Sequence, residues 1–188
     1  MISPQEIILA YSQGYFPMAH PDEGNKIYWH FPHRRAIIPI DHNFKVSKNL
    51  KKLYEKNIFE LNQNKDFEKV IRKCAERDET WISEEIIETY CNLNKLGFAH
   101  SFEVWQNGKL AGGLYGIAIN KAFFGESMFF EVSNASKIAL IYLVETLRIN
   151  KFKLLDSQYL NSHIEQFGAY EISSDKYLKL LKNALKKH

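Results

Sequence analysis

Cysteine is scarce in this chain. Cys74 and Cys91 are the only two, and they form neither a C-x-x-C pair nor a zinc-ligand spacing, which argues against a disulfide framework or a cysteine-built metal site. Long hydrophobic runs are missing too. The longest, Ile138 to Val144, falls far short of the roughly 20 residues that span a bilayer. The first residues, Met1-Ile2-Ser3-Pro4-Gln5-Glu6, contain neither the basic nor the apolar stretch of a secretory leader. A soluble, cytoplasmic protein of a reducing compartment, with no membrane partner, is the expectation. Glycine-rich phosphate loops, the Gly-x-Ser-x-Gly elbow and His-Glu-x-x-His are all absent. The seven histidines show no ligand spacing, and neither a metal nor a cofactor is expected.

What is present suffices for a real core. The chain has 188 residues, 45% of them hydrophobic and 14% aromatic, which fits one domain or one domain with a small lobe. Net charge is only +3, but it is unevenly spread. Residues 41–56 hold Lys45, Lys48, Lys51, Lys52 and Lys56 against Asp41 and Glu55, while residues 176–188 hold Lys176, Lys179, Lys182, Lys186 and Lys187 with no acid. Two basic segments in an otherwise acidic chain suggest either a polyanionic partner or two solvated helix faces, and composition leaves both open.

The spacing of apolar residues predicts the elements. Ser3-Pro4-Gln5-Glu6 reads as a capping box that starts a helix with Ile7, Ile8 and Tyr11 on its apolar face and Gly14 as its stop. Tyr15 to Pro32 reads as an aromatic-rich, proline-stiffened loop capping the core, and Ala36 to Ile40 as a short strand. Helices are predicted over 47–56, 66–77 and from Ser83 to Gly97. In the first, Leu50, Leu53 and Tyr54 share one face, and Lys48, Lys51, Lys52 and Lys56 form a basic ridge on the other. From residue 99 the period drops to two. This predicts a three-stranded meander over 99–130 with turns at Asn107-Gly108 and Asn120-Lys121. A helix over 134–150 capped by Asn134, a strand from Lys153 to Ser157, a brief helix ending at Gly168, a strand from Tyr170 to Ser173 and a helix over 175–187 follow. The order predicts an α/β fold with a mixed sheet, as in the acetyltransferase (GNAT) superfamily. Residues 1–35 would form a small N-terminal lobe and residues 36–188 the acetyltransferase-like domain.

Several stretches are unusual for a purely structural sheet. Gly112-Gly113-Leu114-Tyr115-Gly116 puts three glycines in one strand, which marks a bulge or a close approach of backbone or ligand. Phe124-Gly125-Glu126-Ser127-Met128-Phe129 sets a carboxylate in an aromatic strand. It must bond a buried lysine or arginine of the chain or receive a cation from outside. Asp156-Ser157-Gln158 stands at the carboxyl end of a short apolar strand, where sites gather, although a solvated turn is the commoner outcome.

These segments identify a resemblance. Gly14-Tyr15-Phe16-Pro17, Trp29 through Pro32 with Arg35, Thr80-Trp81-Ile82, and His100-Ser101-Phe102-Glu103-Val104-Trp105 lead into the glycine strand, the Glu126 strand, Asn134-Ala135-Ser136-Lys137, Asp156-Ser157-Gln158 and Phe167-Gly168-Ala169. In this order, over almost the whole chain, they resemble the leucyl/phenylalanyl-tRNA–protein transferases. The resemblance implies an aminoacyltransferase of the N-end rule pathway. Such an enzyme moves leucine, phenylalanine or, less well, methionine from aminoacyl-tRNA to proteins that begin with Lys or Arg. It implies Asp156 and Gln158 at the reaction centre, with Asp156 orienting Gln158, and Glu126 as the partner of the basic acceptor. It also implies an aminoacyl pocket of Trp81, Leu114 and Phe123, with Leu143 and Leu147 standing where other members have phenylalanine. Lys48, Lys51, Lys52 and Lys56 would contact tRNA. Met18 departs from members that carry tryptophan there. Two rival readings are a small-molecule N-acetyltransferase, disfavoured by the glycine-free segment Glu131-Val132-Ser133-Asn134-Ala135, and a non-catalytic tRNA-binding module.

Overall fold

A computed structural model describes residues 2–76 and 80–186; the expected contributions of Lys187 and His188 lie outside them. In chain order the elements are α1 (Pro4–Ser12), β1 (Phe16–His20), β2 (Lys26–His30), β3 (Arg34–Ile37), α2 (Lys48–Glu55), β4 (Glu60–Gln63), α3 (Phe67–Ala75) and α4 (Glu84–Lys95). Then come β5 (Ala99–Gln106), β6 (Lys109–Ile119), β7 (Ala122–Phe130), α5 (Ala135–Ile149), β8 (Leu154–Gln158), α6 (Ser162–Glu165), β9 (Tyr170–Ser173) and α7 (Ser174–Leu185).

A seven-stranded sheet runs β4-β5-β6-β7-β8-β3-β9. Its neighbours are antiparallel except β7 and β8, which are parallel. Helices cover both faces. One core joins Ile7 and Tyr11 of α1 with apolar side chains of α3, α4 and α7; the other joins Leu50 of α2 with α5 and Ile164 of α6. The N-terminal segment therefore shares its core with the main sheet. Among the described residues, no helix is long and apolar enough to cross a membrane.

Local chemistry explains the elements that were legible. Ser3 and Glu6 close the capping box of α1, and Ser47, Asp66, Ser83 and Ser173 each accept a backbone N–H at the start of their helices. Four expectations need correcting. Tyr15 to Pro32 is not simply a loop: β1 and β2 pair as a hairpin, with Phe16 opposite His30. Pro17 is tolerated because a two-stranded ribbon has free edges. The strand β4, too short and polar to show period two, was not anticipated. The strand expected over Ala36 to Ile40 begins at Arg34 and stops at Ile37, before Pro39. Asn134 does precede α5, but at φ 68 and without a side-chain cap bond.

The glycine strand resolves into close packing. A Cβ on Gly112 would lie 2.6 Å from the Ala135 side chain, so the first turn of α5 rests directly on the β6 backbone. At Gly116 a bulge between Tyr115 and Gly116 presses β6 onto Phe123 and Phe124 of β7.

Candidate active site

The parallel pair β7 and β8 creates the site. Their pairing runs Ala122 with Leu154, Phe123 with Leu155 and Phe124 with Asp156, and then ends. Beyond it the two strands continue without pairing to each other. Glu126 and Gln158 each stand two residues past the last pair, one on either strand. A cavity of about 360 Å³ fills the opening, lined by Glu126, Gln158 and Ser157 with Trp81, Leu114, Met128, Leu140, Leu143 and Leu155. Ser136, Asn161 and His163 give it a polar end. The Nε2 of His163 is buried with no partner among the described residues, and burial, with Lys137 nearby, holds its pKa below the usual value.

Of the residues expected to line the aminoacyl pocket, Trp81, Leu114 and Leu143 face this cavity. Phe123 and Leu147 do not line it; they are buried behind, in the same core cluster as Leu114 and Leu143. Asp156 is also buried rather than solvated at a turn. Arg35 donates from Nε to Oδ1 and Oδ2 at 3.0 and 3.1 Å and from Nη2 to Oδ2 at 2.7 Å. Tyr177 adds a hydroxyl at 2.7 Å. The guanidinium lies between the rings of Phe16 and Tyr177, at 4.8 and 4.3 Å from their centroids. Its Nη1 donates to the Gly14 carbonyl at 2.7 Å.

Asp156 does not bond the Gln158 side chain. Its Oδ1 accepts the Gln158 backbone N–H at 2.9 Å, and Gln158 sits at φ 58, a left-handed conformation that costs a non-glycine residue about 1–2 kcal/mol. The carboxylate thus fixes the backbone from which Gln158 projects. The Gln158 Nε2 donates to Glu126 Oε1 at 3.4 Å, which leaves its amide oxygen as the acceptor offered to an incoming N–H.

Glu126 bonds no lysine or arginine. Tyr11 donates to Oε1 at 2.6 Å and Tyr90 to Oε2 at 3.4 Å. Burial pushes the carboxyl pKa up to about 8; the Tyr11 hydrogen bond opposes the shift, Asp156 adds to it, and Tyr90 and Arg35 oppose it more weakly. The earlier alternative of an internal cation is thereby excluded among the described residues. Arg35, Tyr177, Tyr11 and Tyr90 were not picked out as site residues. Arg35 lay inside a quoted segment, whereas Tyr11 carried only the signal of a core residue on an amphipathic helix.

Lys48, Lys51, Lys52 and Lys56 are exposed along α2, and Lys51 approaches Glu55 at 4.0 Å. The ridge lies on the α5 side of the sheet. No group of three or more His, Cys, Asp or Glu that could hold a metal occurs among the described residues.

A meander followed by a parallel strand beside an apolar hollow edged by an acid and an amide is a mixed α/β arrangement with room for an acyl group. The solved structure of L-PGS from Bacillus licheniformis shares the fold, with a TM-score of 0.51 at 12% identity over 100% of this chain and 72% of that one. The chain belongs to the leucyl/phenylalanyl-tRNA protein transferase family, whose main profile matches residues 37–182 and whose N-terminal domain profile matches residues 1–33. A leucyl/phenylalanyl-tRNA–protein transferase of Prosthecochloris aestuarii is 47% identical over 100% of this chain and 97% of its own. The one from Chlorobaculum parvum is 49% identical over the same shares.

Proposed function

We propose that this aminoacyltransferase moves leucine or phenylalanine, and less readily methionine, from aminoacyl-tRNA to the N-terminal amine of proteins that begin with Lys or Arg, marking them for N-end rule degradation. The observation that carries the reading is one hollow that holds an apolar wall, the Gln158 amide and a carboxyl group that bonds no lysine or arginine among the described residues. The apolar wall accepts leucine, phenylalanine and methionine because a methylene more or less is worth only about 1–3 kcal/mol. Polar side chains are rejected by their desolvation cost. Ser157, Asn161 and His163 supply polar partners for the ester and the terminal ribose.

The reaction exchanges an ester for an amide. The acceptor amine, with an unperturbed pKa of about 7.7–8.0, is partly free at neutral pH. Its nitrogen attacks the ester carbonyl, the bond to the ribose oxygen breaks, and that oxygen leaves with a proton from the amine. Holding amine and ester in attack geometry supplies much of the acceleration. The Gln158 amide oxygen steers the amine, and Asp156 acts on it through the backbone. Glu126 pairs with the cationic acceptor. The lysines of α2 hold tRNA phosphates without reading sequence.

The test is direct: purified protein, radiolabelled Leu-tRNA and an Arg-starting peptide, with an Ala-starting peptide beside it. Label is expected in the Arg peptide alone. No label in either peptide would refute transfer, and equal label would refute the acceptor preference.

A further inference from the structure

We propose that Tyr11 and Tyr90 are positioning residues of the acceptor site, a pair of phenols that aims the Glu126 carboxylate into the cavity, so that α1 of the N-terminal segment is a working part of acceptor recognition. The inference rests on the reading of Glu126 as the partner of the cationic acceptor.

Tyr11 and Tyr90 are both fully buried, and their hydroxyl oxygens are 2.8 Å apart. Each phenol has one proton to give. Tyr11 spends its proton on Glu126 Oε1 at 2.6 Å. The 2.8 Å contact is then made by the Tyr90 hydroxyl donating to the Tyr11 oxygen, and its 3.4 Å contact with Oε2 is an alternative use of the same proton. The result is a chain of donors, Tyr90 to Tyr11 to Glu126, in which each link strengthens the next. It suits an ionised carboxylate, which only accepts. Both rings are held by packing. Tyr11 meets Phe124 edge to face at 4.9 Å and Tyr90 meets Tyr115 at 5.8 Å.

The groups around Glu126 come from four elements: Tyr11 on α1, Tyr90 on α4, Arg35 on β3, and Asp156 with Gln158 on β8. Arg35 is committed to Asp156 and the Gly14 carbonyl. The phenols are therefore the hydrogen-bonding groups that favour the charged form of Glu126, partly offsetting the burial that pushes its pKa up to about 8. The same helix end controls both acids, since Gly14, just past α1, receives Arg35. An acceptor bringing its own cation meets a carboxylate already turned toward it.

The test compares Tyr11→Phe, Tyr90→Phe and Glu126→Gln in steady-state transfer to Arg- and Lys-starting peptides, with the acceptor and Leu-tRNA varied separately. Each Phe variant removes one oxygen and keeps the ring. Tyr11→Phe is expected to raise the acceptor KM about 10-fold, as for a lost hydrogen bond to a charged group, and to move the pH profile of acceptor kcat/KM upward. The Leu-tRNA KM should change far less. Tyr90→Phe, one link further back, should raise the acceptor KM about 3-fold, and Tyr11→Phe should add nothing in a Glu126→Gln background. If Glu126→Gln raises the acceptor KM while neither Phe variant moves the KM or the pH profile, the positioning role is overturned and the function stands. Equal rises in donor and acceptor KM would mark general damage and also overturn it. A Glu126→Gln variant with normal acceptor KM would overturn both readings.

Discussion

Glu126 asks two opposite things of its surroundings. In the proposed role it must be ionised to hold a cation, yet burial favours the neutral acid and raises its pKa to about 8. Its free amine partner ionises near the same pH. Two groups must therefore each lose a proton, and log kcat/KM for the acceptor should climb with a slope near ~2 below about pH 7 and flatten above about pH 8. Glu126→Gln should cut the slope to about 1, read from initial rates across pH. Stability carries the same signature with a definite sign. The folded pKa lies above the unfolded one, so the contribution of Glu126 is complete below the ordinary glutamate value and is lost as pH rises through about 8. Thermal melts of Glu126→Gln should gain on the parent across that window. Gln158→Ala, by contrast, should lower kcat by about 10²-fold, as for other preorganised contacts to a reacting group, with little change in melting temperature. The residue types at this centre were visible in the sequence. Which atoms touch was not: Asp156 was expected to orient Gln158, and only the structure gives the contact as one to the Gln158 backbone N–H.

At the scale of elements, Asp156 works as a knot. Through Arg35, Tyr177 and Gln158 it ties β3, α7 and the end of β8 together, and Arg35 adds the turn after α1. Both ions are buried, with 1% and 0% of their side chains exposed. Asp156→Asn should leave Arg35 as a buried uncompensated charge and cost about 3–5 kcal/mol, measured by denaturant unfolding. Loss of activity in that variant thus reports on folding as well as on chemistry, which makes Gln158 the cleaner probe. The contact of α5 with β6 gives a second prediction. Gly112→Ala would drive a methyl into Ala135 at 2.6 Å, so it should destabilise by about 1–3 kcal/mol as overpacking does. It should also disturb the wall formed by Leu140 and Leu143 farther along α5. Elements with strong local signals, such as the capped helices and the Asn107-Gly108 hairpin, were legible because their causes lie within a few residues. β4 and the β1–β2 hairpin were not, because a four-residue polar strand and a proline-bearing ribbon have weak local patterns and depend on partners.

Across the whole molecule the two lysine-rich segments part company. The α2 ridge lies on the α5 face of the sheet, while α7 packs with α1, α3 and α4 on the other. If α2 alone carries the phosphate contacts, four lysines imply a loss in tRNA affinity of about 10²-fold between 50 and 200 mM salt. Replacing Lys48, Lys51, Lys52 and Lys56 by Gln should flatten that dependence in filter-binding or anisotropy titrations, and the same change on α7 should not. Charge composition showed both segments alike, since a count has no direction.

The sequence by itself determined the capped helices, the meander, the order of the elements from β5 onward and the residue types of the centre, because helix caps, hydrophobic periods and turn residues act over short distances along the chain. Only the tertiary structure decided that Glu126 and Gln158, on neighbouring strands, line one cavity. It also decided that Asp156 is answered by Arg35, and that Glu126 is answered by two phenols from the neighbouring helices α1 and α4. Those pairings join residues separated by up to 121 positions, and no local rule of spacing or propensity reaches that far.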